Sequence, residues 1–288
     1  MQASLLTTVI MPLALGVIML GLGLSLTLED FRRVGKYPKA ITIALFCQMA
    51  LLPALCFLLA IAFQMPPELA VGIMLLAASP GGPTANLYSH LSNGDVALNI
   101  TLTAVNSFLT LFSMPFIVNL SLDFFMDSGE YLPMQFRKVM EVFAIVLVPV
   151  ALGMLIRKVA PAFADRMGKP VKILSALFLA LVIVLITISE RHTVATFAAR
   201  LGAPILAFNV LSMAVGYYLP RLFRIEKKQA IAIGMEIGLH NGTLAIYVAL
   251  NVMHNPTASL PAAAYGLLMF FTAAIFGMLV NLKKSPGA

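Results

Sequence analysis

Two short stretches of this chain hold residue types suited to binding ions rather than to packing. One reads Ser79-Pro80-Gly81-Gly82-Pro83-Thr84-Ala85-Asn86, the other Glu236-Ile237-Gly238-Leu239-His240-Asn241-Gly242-Thr243, and each falls in the middle of an apolar run. Two prolines and two glycines together argue against an uninterrupted helix in the first. The second sets a carboxylate, an imidazole and an amide where lipid would have to solvate them, and ionisable groups at membrane depth default to function. Each break creates a half-helix whose free N–H groups and positive dipole end suit an anion. Those ends fall near Thr84, Ala85 and Asn86, and near Asn241, Gly242 and Thr243. The complementary unwound carbonyls, with the charge of Glu236, suit a cation such as sodium. Plainer readings stand beside these: Glu236 as a neutral structural acid, the Pro-Gly-Gly break as a kink, His240 as a packed core histidine.

The elements that must position these residues follow from composition. The chain has 288 residues, is 60% hydrophobic and 11% charged, and has a mean hydropathy of +0.96. A soluble domain of this length needs far more polar surface, so lipid is the solvent for most of it. The net charge of +7 is spread in short clusters between apolar runs, which excludes a basic nucleic-acid face. Cys47 and Cys56 share one apolar run without CxxC spacing, as reduced packing residues do. The first apolar run begins almost at Met1 and is long enough to span, so it reads as a retained first helix rather than a cleaved signal.

Apolar stretches long enough to cross hydrocarbon fall at residues 4–28, 40–63, 69–90, 96–120, 139–156, 171–189, 202–220, 229–251 and 259–281, an all-α membrane protein of about nine helices. With the N-terminus outside, the inner segments hold Arg32, Arg33, Lys36, Lys39, then Arg157, Lys158, Arg166, Lys169, Lys172, then Arg221, Arg224, Lys227, Lys228, and finally Lys283 and Lys284. The outer segments hold only Arg137, Lys138, Arg191 and Arg200. This asymmetry predicts a periplasmic N-terminus and a cytoplasmic C-terminus in a bacterial inner membrane.

Irregular backbone at membrane depth is tolerated only inside protein or along a wet cavity. One break in each half, in crossings of opposite direction, is the pattern of a secondary transporter built from inverted repeats. The expected division is residues 1–120, with helix 1 beside helices 2–4, and residues 121–288, with helices 5 and 6 beside helices 7–9. An intramembrane enzyme is disfavoured, because no Walker A, HExxH, GxSxG or paired-acid motif is present. A channel fits broken helices around a single acid less well than alternating access does.

These residues resemble the bile acid:sodium symporter family. The likeness runs through GLGLSLTLEDF at residues 21–31, Lys36-Tyr37-Pro38-Lys39-Ala40, Pro80-Gly81-Gly82, Asn86, Gly94-Asp95-Val96-Ala97-Leu98, and Glu236 to Asn241. It implies a core domain containing the crossed helices, a panel domain beside it, and two sodium sites behind the crossing. Carried over by position, the first site would use Asn86, Asn99, Thr103 and Glu236, with Ala85 where the family often has serine. The second would use Gln48, Glu236, the carbonyls of Ile237 and Leu239, and His240 where the family usually has glutamine. Imidazole offers sodium a nitrogen instead of an oxygen and can take up a proton, so a proton-coupled or uncoupled carrier is the alternative. The resemblance implies sodium-coupled symport of a small organic anion, bile-acid-like or a hydroxy or keto acid, bound near Pro83, Thr84, Asn241, Gly242 and Thr243. It implies no cofactor beyond sodium as the coupling ion, no nucleic acid and no obligatory protein partner.

Overall fold

In hydrocarbon every backbone N–H and C=O must find its partner within the protein, and helices do this residue by residue. The computed structural model describes residues 9, 11–126, 136–189 and 191–282, and among these it is helical with no β-strand. The tail lysines Lys283 and Lys284 and the start of the first expected span lie outside the described residues.

Helix α1 spans Met11–Ser25. Thr27 then opens α2, Leu28–Arg32, through a capping box. The Thr27 N–H and hydroxyl both donate to Asp30 Oδ2 at 2.7 Å, and the chain bends by 71° between α1 and the segment that follows. Asp30 is buried and paired with Arg33 at 2.8 Å. Helices α3 (Pro38–Phe46) and α4 (Leu52–Ala62) form one 25-residue span joined by a wide turn over Cys47–Leu51. Pro53 lacks the N–H that a regular helix would use there, and the widened turn absorbs the mismatch and carries Gln48.

The next expected span is two pieces, α5 (Pro67–Ala77) and α6 (Pro83–Leu91). Helix α7, Val96–Phe125, is capped by Asp95 Oδ1, which accepts from Leu98 N at 3.0 Å. Helices α8 (Phe136–Val159), α9 (Pro161–Ser189) and α10 (Arg191–Leu222) follow. The eighth expected span is again divided, into α11 (Lys227–Gly238) and α12 (Gly242–Tyr247), with a wide turn over Val248–Val252. Helix α13 spans Leu260–Leu282. Among the described residues five helical segments are long and apolar enough to cross a membrane, or six if the bent α1–α2 pair is one span.

Large apolar side chains such as Phe116, Phe271 and Met278 stand exposed, as lipid-facing positions do. The polar groups instead lie inside, with Glu236, Asn99, Thr103 and Asn106 fully buried. Helix α1 packs chiefly on α8 and α9, whereas α10 packs on α11 and α13, and α7 on α5 and α11. The α1–α8 contact is backbone against backbone. A Cβ on Gly153 would lie 2.5 Å from the Leu20 carbonyl oxygen, and one on Gly23 would lie 2.2 Å from that of Val150. Small residues permit such approach between membrane helices, where packing rather than the hydrophobic effect drives association.

Gly153→Ala should therefore separate α1 from α8 and cost about 1–3 kcal/mol, the usual range for overpacking. Gly16→Ala, with nothing within 4 Å of its added carbon, serves as the control on α1. Thermal unfolding of the two purified variants checks this: equal midpoints would contradict the tight contact.

Candidate functional site

The first break begins where α5 ends. Ser79 turns its hydroxyl onto the Leu76 carbonyl at 2.6 Å, Pro80 cannot donate, and Gly81-Gly82 lead into α6 at Pro83. The second begins where α11 ends at Gly238 and resumes at Gly242, with Asn241 Oδ1 accepting from Leu244 N at 3.1 Å. These unwound segments meet. Asn241 N donates to the Pro80 carbonyl at 2.8 Å, Gly82 N donates to the Leu239 carbonyl at 3.3 Å, and Gly81 faces His240 as a single antiparallel bridge. Peptide groups that would be stranded in each segment alone are satisfied by the other.

Glu236 lies on one side of this crossing. Thr103 Oγ1 donates to its Oε2 at 2.6 Å and Asn106 Nδ2 donates to its Oε1 at 3.1 Å. Its carboxylate also packs on the Gly81 backbone, where an added Cβ would stand 2.5 Å from the carboxyl carbon. Asn99 donates through Nδ2 to the Ala232 carbonyl at 2.7 Å. The side-chain amide oxygens (Oδ1) of Asn86, Asn99 and Asn106 are buried and carry no hydrogen bond. Of the expected first-site residues, Thr103 and Glu236 are thus in direct contact, and Asn99 sits one turn before Thr103. Asn86 brings a buried oxygen from α6 without a hydrogen bond to Glu236. Asn106 is a partner that the motif comparison passed over. The signal for it was its place on the Asn99–Thr103 face of α7, at helical spacing.

The expected second-site residues make a different pattern. Gln48 Nε2 donates to the carbonyls of Ser79 at 3.0 Å and Ala77 at 3.3 Å. His240 Nδ1 lies 3.1 Å from the same Ser79 oxygen; a carbonyl only accepts, so Nδ1 carries a proton. The imidazole is stacked on Phe208 and set edge-on to Tyr265, with centroids 5.5 and 5.4 Å away. Tyr265 and Asn209 donate to the Gly238 carbonyl at 2.8 and 3.1 Å, and the Leu239 carbonyl is held by Gly82. Ile237 is fully buried in the last turn of α11. Protein donors therefore already engage the carbonyls of Ser79, Gly238 and Leu239. Gln48 Oε1 and His240 Nε2 remain buried without partners. Among the described residues no group of three or more His, Cys, Asp or Glu gathers into a metal site.

On the other side of the crossing lies a cavity of about 310 Å³. Thr84, Asn241, Gly242 and Thr243 line it together with Gly82 and His240, opposite Ile18 of α1, Val171 and Leu179 of α9, and Met269 and Phe270 of α13. Four of the five residues expected to touch an organic anion are gathered here; Pro83 opens α6, and its side chain lies outside the described set. Among the described residues no lysine or arginine lines the cavity, and the polar groups these residues offer an anion are hydroxyls, an amide and the His240 imidazole.

Residues 12–197 match the model of the Sodium Bile acid symporter family. A probable sodium/metabolite cotransporter of rice chloroplasts, BASS2, is 26% identical over 259 residues, which cover 90% of this chain and 60% of the rice protein. An uncharacterized sodium-dependent transporter of Bacillus subtilis, YocS, is 23% identical over 88% of this chain and 77% of its own. The rat hepatic sodium/bile acid cotransporter is 26% identical over 95% of this chain and 75% of its own. The chain thus spans about three-fifths of the length of the rice relative.

Proposed function

Because the chain belongs to the sodium bile acid symporter family, we propose that it is a sodium-coupled membrane carrier of a small organic anion, working by alternating access. Glu236 carries this reading. It is fully buried, and no ion pair reaches it among the described residues. A lone carboxylate in such a place calls for a cation, because an isolated buried charge costs many kcal/mol. The unpartnered oxygens of Asn86, Asn99 and Asn106 supply the hard ligands sodium prefers.

The anion is assigned to the 310 Å³ cavity, whose size is near the lower end of the roughly 300–1,000 Å³ of ordinary ligand sites. That favours a hydroxy or keto acid with a modest apolar body over a full steroid. Its carboxylate would face the Thr84 and Thr243 hydroxyls and the Asn241 amide at the starts of α6 and α12, the helix ends that favour negative charge. Sodium and anion would then sit on opposite sides of one crossing. Any shift of that crossing moves both sites at once, which is the physical basis for coupling.

A single sodium per cycle fits the donors around Ser79. Gln48 and His240, both expected at a second sodium site, turn N–H groups onto the Ser79 carbonyl, and the Leu239 carbonyl expected there already accepts from Gly82. We further assign nine crossings, with α5–α6 as the third and α11–α12 as the eighth, in inverted halves 1–120 and 121–288. The N-terminus is assigned to the periplasmic side of a bacterial inner membrane. Helices α1, α8 and α9 make the panel, and the remaining helices make the core.

A thermal-unfolding screen of organic acids, run in sodium and in potassium, tests this function. A bound acid at a hundred times its Kd adds about 2.7 kcal/mol, so the substrate is expected to raise the midpoint by several degrees in sodium and by much less in potassium. Equal shifts in the two salts would refute coupling.

A further inference from the structure

Charge inside this protein is scarce, and where it stands limits what can be carried. Among the described residues the buried carboxylates are Asp30 and Glu236, and no lysine or arginine is buried. Asp30 is already paired with Arg33 at 2.8 Å. Glu236 is left to hold a cation, and both its oxygens face α7, where Thr103 and Asn106 donate to them. Across the crossing, the described lining of the 310 Å³ cavity holds no lysine or arginine. One negative charge therefore serves the cation side, and no fixed positive charge serves the anion side.

A second cation would need another charge or a shell of free oxygens. The Ser79 carbonyl has both lone pairs engaged, by Gln48 Nε2 at 3.0 Å and His240 Nδ1 at 3.1 Å. The Gly238 carbonyl likewise accepts twice, from Tyr265 at 2.8 Å and Asn209 at 3.1 Å. The Leu239 carbonyl accepts from Gly82 at 3.3 Å. The unpartnered side-chain atoms on this side, Gln48 Oε1, Asn209 Oδ1 and His240 Nε2, are all neutral, and an imidazole nitrogen suits transition metals better than sodium.

We propose that the carrier is electroneutral, moving one sodium ion with one monocarboxylate in each cycle. The charges of the two cargoes cancel, so the membrane potential, which acts only on charge that moves, neither drives nor opposes uptake. A dicarboxylate would bring a second negative charge into a cavity whose described lining has no cation to meet it, and burying that charge unpaired is costly. The substrate class is thereby narrowed to monoacids. This inference rests on the sodium-coupled reading of Glu236, and the experiment separates the two.

Proteoliposomes of the full chain, loaded near neutral pH with the acid that the thermal screen selects, report the ratio directly. Under an inward sodium gradient of about tenfold, accumulation of the acid is expected to settle at about tenfold. It should stay there when potassium and valinomycin set an inside-negative potential. Two sodium ions per cycle would instead give about a hundredfold accumulation, and about tenfold more for each 60 mV or so of inside-negative potential. A settled ratio that rises with potential overturns electroneutrality and leaves sodium coupling intact. A ratio that ignores the sodium gradient overturns the sodium reading, and electroneutral symport with it. In the same liposomes an excess of the dicarboxylate of equal chain length is expected to leave uptake unchanged, and competition by it would overturn the restriction to monoacids.

Discussion

Replacing Glu236 with glutamine is expected to abolish the sodium response of this protein while leaving it folded. The substitution keeps shape and removes charge. Thr103 and Asn106 both donate to the carboxylate, and a glutamine can accept from Asn106 through its single oxygen and donate its own N–H₂ to the Thr103 hydroxyl, which turns its proton onto the Asn99 carbonyl. The larger loss falls on the cation. A unit charge at about 4 Å in an effective dielectric of about 20 contributes about 4 kcal/mol, so sodium affinity should fall by several hundred-fold. Titrating sodium against the thermal midpoint of the variant measures this directly. A titration that superimposes on the wild type would mean that Glu236 holds no cation. Glu236→Ala should in addition lose both hydrogen bonds and leave the buried Asn106 amide unpaired, so it should also lower the midpoint in the absence of sodium.

The second large effect is expected at Gly81. An added Cβ there would stand 2.5 Å from the Glu236 carboxyl carbon and 2.7 Å from the Glu236 backbone oxygen. Neither neighbour can move freely, because the carboxylate is pinned by two donors and the backbone belongs to α11. The crossing itself must shift. Gly81→Ala is therefore expected to lose about 1–3 kcal/mol of stability and most of the sodium response together. Gly82 is next in the chain, yet a Cβ there would meet only Thr84 Oγ1, at 3.8 Å. Gly82→Ala should leave sodium titration close to wild type. Similar sodium titrations for the two variants would show that general flexibility of the break, rather than the close approach of Gly81 to Glu236, governs the site.

Much of this arrangement could be read from residue types. Pro80, Gly81, Gly82 and Pro83 cannot continue a helix, and Glu236, His240 and Asn241 cannot face lipid, so both interruptions were legible. Their meeting was expected from the inverted pattern, and the Asn241–Pro80 and Gly82–Leu239 hydrogen bonds realise it. Asn106 was readable in principle from its spacing to Asn99 and Thr103. The pairing of His240 with Ser79 was not. It depends on a backbone carbonyl whose direction is set by how the first break bends, and no side-chain pattern encodes that bend. Helix ends were also hidden. Helix α9 begins at Pro161 and α10 at Arg191, about ten residues before their apolar stretches, because helical hydrogen bonding continues past the hydrocarbon boundary while hydropathy does not. The bend after α1 is marked by Thr27 and Asp30, a local signal that an apolar window averages away.

In the proposed carrier, sodium at Glu236 and an organic anion at the starts of α6 and α12 share one crossing. Uptake by proteoliposomes of the acid selected in the thermal screen tests it most directly. An imposed inward sodium gradient should drive accumulation above equilibrium, collapsing when potassium replaces sodium and absent in Glu236→Gln. Equal accumulation with and without the sodium gradient would contradict it.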